Sequence, residues 1–551
     1  MSELPGTGVG RGVALGPVLR MPEPLGAPSS APLDGPVEAA DAAVHEAVAA
    51  VADDLTKRGA LAGGDAQAVL EAQALMAQDP TLLDDVHTRI SGGANAERAV
   101  HDAFAAFQDI LAAMGGYMGE RAADLGDVSQ RIIAKLRGVP APGVPDSDTP
   151  FVLVARDLAP ADTALLDLDK VLALVTSDGG PTSHTAILAR AKGITAIVGV
   201  EGAADLVDGQ TVVVDAAAGV VVTDPDPDLV TATEARIAER LAAADRPVTP
   251  GALADGTLVP LLANLGNPAD AAGAVALGAE GVGLFRTEFL FLDSPTAPTV
   301  EAQRQAYVQL LSVFPGKKVV VRALDAGADK PLSFLTDQDE ENPALGRRGL
   351  RALRHHEAVL RDQLTALVQA DAETEADLWV MAPMVADAEE TAYFVSLARE
   401  LGVRTAGVMA EVPSLALLAE QVFQQADFVS VGTNDLTQYT LAADRLLGSV
   451  ASYQDPWHPA VLRLVAQLGA AGRDAGKAVG ICGEAAADPL LAVVLVGLGA
   501  TTLSMTPAAL ADVRAELGQH TLEQAREMAR AALAAPSAAA ARAAATSAHV
   551  V

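Results

Sequence analysis

Cysteine is almost absent: Cys482 is the only one in 551 residues. A single thiol can build neither a disulfide framework nor a thiolate metal centre. Aromatic residues are scarce, at 3%. Basic residues are outnumbered, 38 against 71 acidic ones, leaving a formal net charge of -33. Such a chain repels nucleic acid and anionic membrane, while a basic protein partner is permitted. Arginines that serve an anionic substrate must therefore be gathered locally. The longest apolar run, Leu490 to Met505, is short of the roughly 20 residues of a membrane span. Met1-Ser2-Glu3-Leu4-Pro5 lacks the basic and apolar regions of a signal peptide. The expectation is a cytoplasmic protein without membrane insertion.

What is present begins with apolar substance, 50% of residues, enough for cores in about three or four domains. The most informative stretch runs from Ser177-Asp178-Gly179-Gly180-Pro181 through Thr182-Ser183-His184-Thr185-Ala186 to Arg190. It follows the apolar run Val171–Val175, which reads as a buried strand. The glycines make a turn, Pro181 suits a helix start, Thr182 or Ser183 can cap it, and Gly193 can end it. His184 is then expected in a first helical turn, where free N–H groups can hold a phosphate. Two readings stand at this point: a nucleophile that becomes phosphorylated, and a structural histidine at a helix start.

Around this stretch the chain reads as a series of domains. Gly6-Thr7-Gly8-Val9-Gly10 has neither a preceding strand nor a following helix, so a dinucleotide loop is disfavoured and a short edge strand is predicted. Residues 22–36 read as a linker. Alanine-rich helical patterns begin at Val37 and continue over 65–78, 80–91, 95–119 and 126–137. This region carries 16 acidic and 8 basic side chains between 37 and 138. It is a solvated acidic surface or a docking face for a basic partner. Short strands are predicted at Phe151–Ala155, Val171–Val175, Thr195–Val198, Thr211–Asp215 and Val220–Thr223. Residues 1–21 and 139–225 are thus expected to form one α/β domain, with 22–138 inserted as a helical bundle. A proline-bounded helix over 226–256 reads as a semi-rigid linker or a packed terminal helix. Eight further strands are predicted, at Leu258–Ala263, Gly281–Phe285, Val319–Ala323, Trp379–Met384, Gly407–Ala410, Phe428–Val431, Ala478–Ile481 and Thr501–Met505. Strand–helix units repeated eight times point to a TIM (β/α)8 barrel over 257–535. Residues 536–551 are low in complexity and receive no function.

Polar residues fall at the C-terminal ends of the barrel strands, the rim where such barrels do chemistry. They are Asn264, Arg286, Arg322, Glu411, Asn434, Asp435 and Cys482, with Arg445 beyond Tyr439. Three arginines on one rim suit a small polyanion. Glu411 and Asp435 are hard donors suited to Mg²⁺, or else they neutralise the arginines. Cys482, between Gly480 and Gly483, is a small buried hydrophobe or an acid able to protonate an enol carbon.

The stretch Gly179-Gly180-Pro181-Thr182-Ser183-His184-Thr185-Ala186 closely resembles the phosphohistidine signature of the phosphoenolpyruvate-utilising enzymes. Together with Gly281–Phe291, Gly432–Arg445, Gly480–Glu484 and Glu120–Val128, it resembles Enzyme I of the sugar phosphotransferase system from Gly6 to about residue 530. The resemblance implies that His184 takes the phosphoryl group of phosphoenolpyruvate. It implies that Arg286, Arg322, Asn434 and Arg445 bind that substrate, with Asp435 also near the phosphate. Glu411 and Asp435 would hold Mg²⁺ (or Mn²⁺), and Cys482 would be the proton donor. Lys330 and Arg348 match further family positions. The family passes the group to the phosphocarrier protein HPr, docked on the helical insertion, and is homodimeric through the barrel. In that picture residues 226–256 act as a hinge. This chain departs from the family pattern at Arg11, Gln73 and Ala328, none of them assigned to chemistry. Pyruvate phosphate dikinase and phosphoenolpyruvate synthase share the histidine motif and barrel. They are disfavoured because the sequence before His184 is too short for their nucleotide-binding domain. A non-catalytic relative would be expected to have lost Cys482, an arginine or a metal carboxylate.

Overall fold

The computed structural model describes residues 2–549 except 11, 23–24, 63, 115, 142, 146, 159–165, 168–169, 181–184, 187–188, 190–192, 245–247, 292–295, 328–331, 333, 336–339, 446, 448–449 and 451–452. Two compact units divide the chain, Met1–Ile237 and Ala238–Val551. Among the described residues no helix is long and apolar enough to cross a membrane.

The first unit is built on eight strands: β1 (Ser2–Pro5), β2 (Thr7–Val9), β3 (Val13–Arg20), β4 (Phe151–Ala155), β5 (Val171–Thr176), β6 (Thr195–Val198), β7 (Thr211–Asp215) and β8 (Val220–Thr223). Their order is β1-β8-β7-β3-β4-β5-β6-β2. The N-terminal segment is therefore not one short edge strand. It supplies both edges, and β3 lies inside the sheet, antiparallel to β7 and parallel to β4. Alternation explains β3: Ala14 and Val18 point to the core at period two. Glycine explains the crossing from edge to edge. A Cβ on Gly8 would meet the Ala216 carbonyl oxygen at 1.8 Å, so only glycine lets the segment pass there.

Between β3 and β4 the chain leaves the sheet, and the described residues form helices α1 (Val37–Ala62), α2 (Gly64–Ala77), α3 (Pro80–Ser91), α4 (Ala96–Met114) and α5 (Gly116–Arg137). Their shared core includes Leu55, Leu70, Ile90, Phe104 and Ile132. The break predicted between 119 and 126 is absent, since α5 runs through it. Gly126 lies inside α5, where a Cβ would stand 2.9 Å from the Gln108 side chain on α4, so this glycine serves close packing. Gln73 is buried, and its Nε2 donates to Asp124 Oδ1 across α2 and α5 at 3.1 Å. After β8, the helix Pro227–Ala244 buries Thr233, and Arg236 pairs with Asp215 of β7 at 2.8 Å.

The second unit is a closed barrel of parallel strands: β9 (Leu261–Leu265), β10 (Val282–Phe285), β11 (Lys318–Arg322), β12 (Asp377–Ala382), β13 (Thr405–Ala410), β14 (Phe428–Val431), β15 (Ala478–Ile481) and β16 (Thr502–Met505). β16 pairs with β9 to close it. The first strand starts three residues later than its apolar run suggests. Leu258 is spent on an antiparallel bridge to Ala252, and Pro260, with no N–H to give, precedes the ladder. Most of the core lies between strands and surrounding helices. A smaller cluster inside the barrel joins Leu284, Val320, Met381, Met409, Phe428 and Cys482.

The alanine-rich C-terminal segment is a packed element. Helix Ala538–His549 buries Ala541 and Ala545, one turn apart, against the barrel core, and Arg542 Nη2 donates to Asp488 Oδ2 at 3.2 Å. Low complexity here reflects a helix whose close packing needs small side chains. Deleting residues 536–551 will lower stability by about 2 kcal/mol, from the lost methyl burial. Urea unfolding of the full and shortened chains checks this.

Candidate active site

The C-terminal rim of the barrel gathers the expected side chains because each stands at or just past a strand end. Arg322 is the last residue of β11, and Arg286, Glu411 and Cys482 follow β10, β13 and β15 by one residue. Asn434 and Asp435 begin the helix Thr433–Leu441 after β14. That helix ends at Ala442, whose φ of 51° turns the chain toward Arg445.

An ion-pair network binds these elements together. Arg322 Nη2 donates to Glu288 Oε1 at 2.6 Å, and Nη1 lies 3.2 Å from Asp325 Oδ2. Arg348 reaches across the rim. Its Nε and Nη2 donate to the two oxygens of Asp325 at 3.2 and 3.0 Å, and its Nη1 and Nη2 donate to those of Asp435 at 2.9 and 3.1 Å. Arg445 Nη1 stands 3.6 Å from Asp435 Oδ2. Both Arg322 and Arg348 are buried, as are Glu288, Asp325 and Asp435. Burial alone would lower the arginine pKa values; the surrounding carboxylates more than reverse that and hold both guanidinium groups charged.

Arg286 differs. It is exposed, and its guanidinium makes no hydrogen bond or ion pair among the described residues. The nearby Arg322 Nε is buried without a partner. The rim therefore holds donors still open to an incoming anion.

Glu411 has the opposite problem. Burial, reinforced by Asp435 and Asp325, raises its carboxyl to about 7. Its Oε1 accepts from the Met384 N–H at 2.7 Å, and Met384 adopts φ of 54° to offer it. A Cβ on Gly432 would come within 2.7 Å of Oε2, so that glycine leaves the second oxygen room. Two hard carboxylates that repel one another's charge suit a small divalent cation completed by substrate oxygens.

Cys482 is buried, with Sγ 3.4 Å from the Val431 carbonyl oxygen. Burial pushes the thiol up to about 12, against a hydrogen bond from Ser430 that favours the thiolate. The group stays protonated and ready to donate. Its loop is pinned from both sides. Asn264 Nδ2 donates to the Cys482 carbonyl at 3.1 Å, and the Glu484 N–H donates to Asn434 Oδ1 at 3.0 Å. Gly483 is obligatory, because a Cβ there would fall 1.8 Å from Thr433 Oγ1.

His184 and Lys330 lie outside the described residues. The flanks of His184 are described. Gly179 turns at φ of 95° after β5, and Thr185 and Ala186 are helical. Thr185 Oγ1 donates to Asp157 Oδ1 at 2.7 Å and accepts from the Leu158 N–H at 3.2 Å, fixing the residue after His184 to the loop after β4.

Sequence reasoning missed Glu288, Asp325 and Gln363. Gln363 accepts from the Leu324 N–H at 3.0 Å and donates to Thr287 Oγ1 and Tyr307 Oη, both at 3.1 Å. Glu288 could have been found, since it follows Arg286 by two in a stretch already singled out. Gln363 sits in the middle of helix Glu357–Glu373 and carried no signal.

A barrel rim of arginines over paired carboxylates and one thiol, in a chain whose other unit carries the histidine motif in its sequence, defines a phosphoenolpyruvate-utilising enzyme. Three models of that family match: its N-terminal part over residues 5–121, its mobile domain over 148–219, and its phosphoenolpyruvate-binding domain over 241–522. A protein of Streptomyces coelicolor is 56% identical over 98% of both chains. One of Haloferax volcanii is 41% identical over 86% of this chain and 85% of its own. One of Bacillus subtilis is 36% identical over 95% and 96%. Each of the three is named phosphoenolpyruvate-protein phosphotransferase. The chain belongs to that family, the Enzyme I phosphotransferases.

Proposed function

We propose that the protein transfers the phosphoryl group of phosphoenolpyruvate to its own His184, then to a histidine of the phosphocarrier HPr, releasing pyruvate. The observation that carries the barrel half of this reading is the pair of unmet arginine donors, at Arg286 and at Arg322 Nε, beside two buried carboxylates and a protonated thiol. A small molecule carrying a phosphate ester and a carboxylate on one carbon suits such a rim. Arg286, Arg322 and Arg445 bind the anion, with Asn434 and Asp435 beside it. Arg322 is held in place by Glu288 and Asp325. Arg348 fixes Asp435, which with Glu411 would hold Mg²⁺ or Mn²⁺. A bound cation would offset phosphate charge and steady the developing enolate. Cys482 protonates C3 of enolpyruvate, which commits the product to pyruvate.

The acidic helical insertion suits a basic carrier protein. Exposed Phe289, Leu345 and Leu417 offer apolar area for a homodimer through the barrel. Incubation with phosphoryl-labelled phosphoenolpyruvate, Mg²⁺ and HPr tests the whole reading: label should reach HPr and pyruvate should appear in equal amount.

Cys482→Ala separates the two halves. Turnover of phosphoenolpyruvate should fall about 10²–10⁴-fold, the usual worth of a general acid. Back-transfer from phosphorylated HPr to His184 should be untouched, because no carbon is protonated in that step. Loss of both would make the cysteine structural.

A further inference from the structure

Below the rim, the inner wall of the barrel is uneven. Generic barrels fill this space with bulky branched side chains. Here three adjacent strands carry small or polar residues at one level, with Ser430 of β14 paired to Gly480 of β15 and Gly480 to Thr502 of β16. They border a void of about 10 Å³, close to the room one water needs. Lys318, Trp379 and Phe428 also line it. Gly480 keeps some solvent contact although it lies inside the barrel.

Alternation along the strands gives this void a direction. Residues i and i+2 face the same way, so Ala478, Gly480 and Cys482 form one inner column from the N-terminal mouth to the rim. Lys318, Val320 and Arg322 form another. The Lys318 ammonium lies 3.6 Å from the centre of the Trp379 ring at the lower end of its column. Burial lowers it to about 8, against Asp377, whose charge acts the other way. It can therefore release a proton near neutrality. On the rim side, by contrast, the thiol faces Arg286 and Arg322, which have no proton to release, and Glu411, which the proposed reading commits to the cation.

We propose that Cys482 is reprotonated from the N-terminal mouth of the barrel, through a water in the Gly480 void, with Lys318 as the group that collects the proton from solvent. This rests on the reading of Cys482 as the donor to enolpyruvate. In that step the S–H bond breaks, a C–H bond forms at C3, and a thiolate remains. Ser430, paired with Gly480 two residues below Cys482 in the same inner column, passes its hydroxyl proton to Sγ and takes one from the water. The water takes one from Lys318, and solvent restores Lys318. The net change is one solvent proton placed on Sγ.

Gly480→Ala plugs the void with one methyl group. Its Cβ would stand 3.0 Å from Thr502 Oγ1 and 3.6 Å from Ser430 Oγ, with no backbone atom among its close contacts, so the barrel accepts it. Lys318→Met removes the collector without touching the void. Both variants, and wild type, are equilibrated in H₂O and mixed rapidly into D₂O with phosphoenolpyruvate, Mg²⁺ and excess HPr. Both variants should make the first pyruvate at the wild-type rate. Their steady-state turnover should fall about tenfold, as reprotonation becomes limiting. First-turnover pyruvate from Gly480→Ala should carry a CH₃ group, retained from the unexchanged thiol, where wild type gives CH₂D. Steady-state rates within twofold of wild type in both variants, or CH₂D from Gly480→Ala, would overturn the route. Cys482→Ala with a normal first turnover would instead sink the donor reading beneath it.

Discussion

His184→Ala will retain no acid-labile, base-stable label from phosphoryl-labelled phosphoenolpyruvate, where the wild type retains about one group per chain. That lability pattern is the signature of a phosphorus–nitrogen bond, so it separates histidine from serine, threonine or a carboxylate. The expected loss is complete because His184 is the one histidine between His101 and His355, so no second imidazole lies in this part of the sequence. Thr185 is engaged with Asp157 and Leu158, and Asp178 is paired with Arg156 at 2.8 Å. Those contacts survive the substitution, so the α/β unit should keep its fold, which circular dichroism can check. The barrel should still bind phosphoenolpyruvate, and Cys482 should still hold its proton. Label that persists on the alanine variant would remove His184 from the pathway and leave the barrel in need of another acceptor.

The barrel was legible in the sequence because parallel strands, buried on both faces, read as short apolar runs. The rim was legible because a polar residue closes several of those runs, as Arg322 closes β11. The sheet of the first unit was only partly legible. β4 to β8 showed the same apolar runs, but the N-terminal strands take their places from long-range pairings, and their glycines signalled turns rather than close passage. The ion-pair network was the least legible part. Glu288, Asp325 and Arg348 lie beyond strand ends, and no periodicity says which loop residues turn inward. Arg348 was noticed only through a family resemblance, yet it makes more rim contacts than any residue singled out from the strand ends.

Arg348→Met should therefore show the larger structural effect of any single rim substitution, about 3–5 kcal/mol of lost stability. The cost arises less from the missing bonds than from what they leave behind. Asp325 and Asp435 are buried, and with Arg348 gone the two-armed guanidinium that bridges them is lost, while Arg322 stays beside Asp325 and Arg445 beside Asp435. The loop itself is held tightly. Gly349 sits at φ of 58°, where a Cβ would meet Met384 at 2.7 Å, and its N–H donates to the Ala326 carbonyl at 3.0 Å. It has little freedom to carry the vacated carboxylates out to water. Both tryptophans, Trp379 and Trp457, belong to the barrel unit, so tryptophan fluorescence in denaturant reports its unfolding directly. Arg348→Lys should recover only part of the loss, because a single ammonium cannot bridge two carboxylates in the plane that the guanidinium spans. Adding Asp325→Asn to Arg348→Met should recover more, since it removes one of the stranded charges rather than trying to pair it. The same double variant should still bind phosphoenolpyruvate poorly, because Arg322 loses a holding carboxylate. A midpoint unchanged in Arg348→Met would mean the network is surface decoration, whatever its distances.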